Sequence, residues 1–177
     1  MFAEQQFIDC SHETGNNGCN GGLLIGAWQY AEKHAIALEK DYPYQETDRG
    51  TTCQDNIIPG LAKLSDFKFV TPSNAEATKE AVRQQPQSIG IQANRVPFQA
   101  YSGGVLNSDR CGGDNLDHAV LIIGWGVDAE AGEYMTIKNQ WGTGWGEDGF
   151  MRISIGPDSP AGGYCGFLKE VSHPIIA

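Results

Sequence analysis

Basic residues are scarce in this sequence. Twelve lysines and arginines stand against 22 aspartates and glutamates, a formal net charge of -10. That balance leaves no basic face for nucleic acid and no polybasic segment for an anionic membrane surface, so neither partner is expected. Long apolar runs are lacking as well. None approaches the roughly 18 residues that a membrane-spanning helix needs. The opening Met1-Phe2-Ala3-Glu4-Gln5-Gln6 has neither the basic nor the apolar region of a secretory signal. No C-x-x-C pair occurs among the five cysteines, Cys10, Cys19, Cys53, Cys111 and Cys165. Scattered through glycine-rich loops, they read as disulfide partners with one left over, which points to a secretory or lysosomal history. A zinc site from Cys10, His12 and Cys19 has irregular spacing and no evident fourth ligand, so no metal or other cofactor is expected.

What the chain does have is glycine, 23 residues of 177, and enough apolar residues (40%) for a real core. Leu23, Leu24, Ala27, Trp28 and Ala31 fall at helical spacing, which predicts a helix from about Gly21 to His34 capped by Asn20. Residues 40–60 read as loop, with turns at Asp41-Tyr42-Pro43-Tyr44 and Asp48-Arg49-Gly50. Asp66 to Val70 reads as a strand. Ser73 and Glu76 have capping-box spacing for a second helix that Pro86 ends. Beyond it the pattern turns to strands: Ser88–Gln92, the apolar run Ala119–Ile123, and the alternating Tyr134–Asn139 and Phe150–Ile155. A short helical part followed by a mostly β part, with a boundary between residues 61 and 62, gives an α+β class.

Three stretches exceed what a generic fold requires. They are Gly18-Cys19-Asn20-Gly21-Gly22, Leu116-Asp117-His118-Ala119-Val120 and the run from Lys138-Asn139-Gln140-Trp141-Gly142 to Trp145-Gly146. A histidine at a strand start and an asparagine at a strand end can meet across a sheet. In these stretches the chain resembles the papain-like cysteine peptidases, and the resemblance runs from Glu4-Gln5-Gln6-Phe7-Ile8-Asp9-Cys10 to Tyr164-Cys165-Gly166. Tyr42-Pro43-Tyr44, Gln85-Pro86-Gln87-Ser88 and Tyr101-Ser102-Gly103-Gly104-Val105 match too.

The resemblance implies a two-domain fold, with 1–61 the remnant of a helical left domain and 62–177 a β-rich, barrel-like right domain. It implies His118 as acid/base, Asn139 as the group orienting it, and Trp141 as a cover over their hydrogen bond. Gly21 and Gly22 resemble the edge on which an extended peptide pairs. Leu23, Leu24, Leu116, Asp117, Ala119 and Glu170 map to substrate-binding positions. In the main specificity pocket the leucines favour an apolar guest, and Glu170 can accept a basic one. The family pairing implies disulfides Cys10–Cys53 and Cys111–Cys165 and leaves Cys19 unpaired. The partner is a peptide or protein substrate, and the expected location is a lysosome, vacuole or secreted fluid.

The family's nucleophile signature, C-G-[SA]-C-[WY], is not among these residues. From the usual separation, the nucleophile is expected roughly 12–32 residues before Met1. Two readings follow, beside that of a truncated product with no stable role. One is a cysteine endopeptidase whose first portion lies outside this chain or on a separate N-terminal chain, so that the chain alone is inactive. The other is a non-catalytic relative that binds peptides or inhibitors through its remaining cleft.

Overall fold

A computed structural model describes residues 1–47 and 52–176. The chain forms two compact units, Met1–Lys68 with Pro174–Ala177, and Phe69–His173. The division falls later than the expected 61/62 boundary, and the last residues return to the first unit.

In the first unit, α1 (Glu4–Cys10) was not legible in the sequence. Its inward residues are polar: Gln5, Gln6 and Asp9 are essentially fully buried. Buried polar groups need partners, and these have them. The Gln6 amide nitrogen donates to Ala35 O (3.1 Å) and its oxygen accepts from Ala37 N (2.7 Å). Asp9 accepts from Gln5 Nε2 (2.9 Å) and Tyr42 OH (2.7 Å). The Glu4–Cys10 motif is thus a polar bracket around Tyr30, Ala37 and Tyr42, all buried. Cys10 is bonded to Cys53, so its sulfur cannot serve as a thiolate ligand with His12. Cys19 is free and exposed.

Helix α2 spans Leu24–Lys33, shorter than expected at its start. Asn20 does not cap it. Asn20 closes a 3-10 turn, Gly18–Asn20, and Leu23 is the N-cap residue without a side-chain cap of its own. Among the described residues after Lys40 there is no helix or strand until β1 (Leu64–Phe69). The turn expected at Asp48-Arg49-Gly50 lies outside the described residues.

The second unit opens with α3 (Ala75–Gln84). Its cap is Asn74, whose side chain accepts from Ala77 N (2.9 Å), and not Ser73, whose φ of 56° takes it out of any capping conformation. The sheet then forms from β2 (Gln87–Ile91), β3 (Val105–Leu106), β4 (His118–Asp128), β5 (Gly132–Lys138), β6 (Phe150–Ser154) and β7 (Val171–Ile176), with a short α4 (Val96–Gln99) between β2 and β3. The strand order is β7-β2-β4-β5-β6-β3, and β1 adjoins β7 to complete seven strands. Alternation does the packing: Ile89, Ile91, Val120, Ile122, Met135, Ile137, Met151 and Ile153 all point into one core. Cys111 and Cys165 pair within it, both fully buried. Beside the disulfide, two glycines let the backbones approach. A Cβ on Gly113 would lie 2.6 Å from Gly166 N, and both glycines have positive φ.

Candidate active site

Strand register brings the acid/base candidates together. β4 begins at His118, β5 ends at Lys138, and the two run antiparallel with Leu121 opposite Lys138. The residue that leaves β5 therefore emerges beside the start of β4. There His118 Nε2 lies 2.9 Å from Asn139 Oδ1.

The direction of that bond is fixed locally. Gln140 N–H also donates to Asn139 Oδ1, at 2.9 Å, so this atom is an acceptor. His118 Nε2 must then carry hydrogen, and Nδ1 is left as the nitrogen that can exchange a proton. Asn139 is 6% exposed, and its Nδ2 is buried with no partner among the described residues. An unpaired buried amide is costly. The carboxamide is placed for the imidazole and not for its own hydrogen bonding.

Aromatic rings wall this pair. Trp141 lies against the imidazole with centroids 5.0 Å apart. Phe98, on α4, meets His118 edge-on at 6.0 Å and Trp141 edge-on at 5.3 Å, and lies tilted against Trp145 at 5.1 Å. Trp145 is buried and its indole N–H donates to Phe98 O (3.1 Å). Phe98 escaped the sequence reading. Its one signal is an aromatic residue following Pro97 within a loop-like stretch.

The loop carrying both tryptophans is pinned at its far end. Asn139 N donates to Gly149 O (3.0 Å), and the Glu147 carboxylate binds Arg152 (2.7 Å) and Gly104 N (2.9 Å). Hydrogen bonding from Arg152 holds the Glu147 carboxyl below its ordinary value of 4.5. Because the folded-state pKa is depressed, this clamp contributes fully above that value and is lost only as pH falls through the lower, folded one.

A second cluster forms around Gly90, another residue the sequence reading missed. Gly90 pairs with Ala119 across β2 and β4. A Cβ placed on it would lie 3.1 Å from Leu116 Cδ1 and 3.2 Å from Glu170 Oε2. Leu116, Ala119 and Glu170 thus converge on one bare backbone position, and no cation pairs with Glu170 among the described residues. A glycine inside a strand signals such a close approach. Asp117 does not join them as a free carboxylate, since it accepts from Ala93 N (2.7 Å).

The remaining predicted residues lie in the first unit. Gly21 has φ 103° and ψ -170°, a conformation that only glycine adopts readily. Gly22 and Leu23 are exposed, and Leu24 begins α2.

Residues 1–175 match the sequence model of the family described as "Papain family cysteine protease". A cathepsin L-like protein of Caenorhabditis elegans is 38% identical over 99% of this chain and 51% of its own length. The thiol protease SEN102 of Hemerocallis is 39% identical over 98% of this chain and 47% of its own. The chain thus spans about half the length of the curated relatives it matches. Among solved structures, the Carica candamarcensis cysteine protease CMS1MS2, determined with E-64, is similar with a TM-score of 0.86 at 35% identity, covering 98% of this chain and 76% of that one.

Proposed function

The chain belongs to the papain family of cysteine proteases, and on that premise we propose that it carries the acid–base machinery of a cysteine endopeptidase. The observation that supports this most directly is the double acceptance at Asn139 Oδ1, from Gln140 N and His118 Nε2. It leaves His118 Nδ1 to take the proton of a cysteine thiol, giving a thiolate and an imidazolium. The thiolate attacks the peptide carbonyl. As the C–N bond breaks, Nδ1–H passes its proton to the departing amine nitrogen. Water then adds to the thioester, its proton going to His118 Nδ1 as the C–S bond breaks and the thiolate leaves.

Neither the nucleophile nor the oxyanion-hole glutamine that the resemblance implies is assigned to a residue here. The relatives hold the matched region inside one longer chain, which gives no support to a separately supplied N-terminal chain. The substrate is a peptide or protein. Two disulfides suit an oxidising compartment, and a clamp at Glu147 that stays charged into acid suits a lysosome, a vacuole or an acidic secretion.

Joined covalently to the nucleophile-bearing segment of a relative, the chain should hydrolyse blocked peptide substrates. The chain alone should take up no thiol-directed epoxide. Labelling at Cys19 would overturn the assignment. A folded fusion that binds peptides without cutting them would favour the non-catalytic reading instead.

Glu170 gives a second test. In the same fusion, peptides with arginine two residues before the scissile bond should bind better than their alanine counterparts. Glu170→Gln should remove a preference of about three- to fivefold, the scale of a partly exposed ion pair. Equal binding of arginine and alanine peptides to the parent protein would take Glu170 out of the pocket.

A further inference from the structure

The backbone from Gly21 to Leu23 is held open by hydrogen bonds on both sides of one residue. Gly21 O accepts from Asn17 N (2.8 Å), Gly21 N donates to Gly18 O (3.2 Å) and Leu23 O accepts from Ala27 N (3.3 Å). Leu23 N donates to Asn16 Oδ1 (2.9 Å). Within this run only Gly22 keeps both its N–H and its C=O without a partner among the described residues, and it is exposed. One residue presenting both groups outward is the two-point contact that an extended peptide makes with a strand edge.

Asn16 is what shapes this edge. Its carboxamide fills a slot between Gly22 and Gly26. A Cβ on Gly22 would overlap Asn16 Oδ1, and one on Gly26 would lie 2.6 Å from it. Both glycines are small because this side chain stands there. The amide is itself held. Asn16 Nδ2 donates to Ser11 Oγ (3.1 Å), Ser11 Oγ donates to Phe7 O (2.6 Å), and Asn16 N donates to Ser11 O (3.3 Å). Ser11 is 1% exposed. A continuous set of hydrogen bonds therefore runs from the carbonyl of Phe7 in α1 through Ser11 and Asn16 to the amide of Leu23. It also satisfies the main-chain N–H of Leu23, the N-cap residue of α2.

We propose that Asn16 is the positioning residue of the peptide-binding edge, fixing the backbone so that the N–H and C=O of Gly22 face an incoming extended peptide. The proposal rests on the reading of Gly21 and Gly22 as that edge. It adds a residue that never touches substrate and sets the geometry of the one that does.

The test uses the full chain, titrated at millimolar concentration with the blocked peptide acetyl-Ala-Leu-Ala-amide and followed through backbone amide signals. In the parent protein the Gly22 amide should shift on addition of peptide. Asn16→Ala should weaken binding about tenfold, the cost of losing a preorganised edge. It should also speed hydrogen exchange at the Leu23 amide. Asn16→Asp keeps the acceptor for Leu23 N–H and should return binding to within about threefold of the parent. That recovery distinguishes positioning from general loosening of the fold. If peptide shifts Gly22 and Asn16→Ala binds as the parent does, the role of Asn16 is wrong while the edge stands. If peptide leaves Gly22 unmoved in the parent, the edge itself is wrong.

Discussion

Alanine at position 118 should lower kcat by on the order of 10³–10⁴-fold when the chain is joined to a nucleophile-bearing segment, and leucine at 139 should lower it about a hundredfold. The two losses have different origins. Without His118 there is no group to take the thiol proton or to protonate the leaving amine. Without the Asn139 carboxamide the imidazole is still present, but nothing obliges Nε2 to hold hydrogen, and the ring can turn or exchange tautomers. Leucine keeps the volume while removing the acceptor shared by His118 Nε2 and Gln140 N. KM should change little in either variant, since neither side chain lies in the cluster around Gly90. Steady-state kinetics across a pH series would show it. An Asn139→Leu protein with kcat within threefold of the parent would mean that the imidazole is oriented by its aromatic walls alone.

Alanine at both Cys111 and Cys165 should cost the second unit about 4 kcal/mol, from the chain entropy released by opening a loop of this length. The two cysteines are 54 residues apart and both fully buried in the core. Alanine is the substitution of choice, because serine would add a buried hydroxyl. In a protein of this size the loss corresponds to a fall in Tm of roughly 8–16 °C. Thermal unfolding followed by tryptophan fluorescence reports it, since Trp125, Trp141 and Trp145 all belong to this unit. Cys19→Ser should leave the transition where it is, because that thiol is exposed and free. A loss under about 1 kcal/mol in the double variant would mean that the glycine contact at Gly113 and Gly166 holds the two loops together without the sulfur bridge.

The strands were legible because their alternation is strict. Met135, Ile137, Met151 and Ile153 each occupy the inward step of the pleat, and their burial follows. The meeting of His118 and Asn139 was legible for a related reason: antiparallel pairing sets the start of one strand beside the end of the next. Helix α1 was illegible because its buried face carries Gln5, Gln6 and Asp9, which satisfy one another and the backbone only once the chain has folded. Strand β7 was hidden by Pro174 and by Ser172 and His173 in a six-residue element. The start of α2 was misread because the amide of its N-cap residue, Leu23, finds its acceptor on Asn16, seven residues upstream, and no local pattern encodes that. Gly90 could not announce itself either. A glycine in a strand reads as weakness until Leu116 and Glu170 are seen to need the space.

The atom that holds the Asn139 carboxamide in its working orientation belongs to the main chain of residue 140. Nineteen of the twenty amino acids present that same hydrogen, and proline alone does not. The side chain at 140 is therefore free to drift: the glutamine that stands here merely reaches across with its own amide to Ala119 O (3.1 Å). A protonation pattern guarded by the peptide bond is insulated from most substitutions that chance can bring.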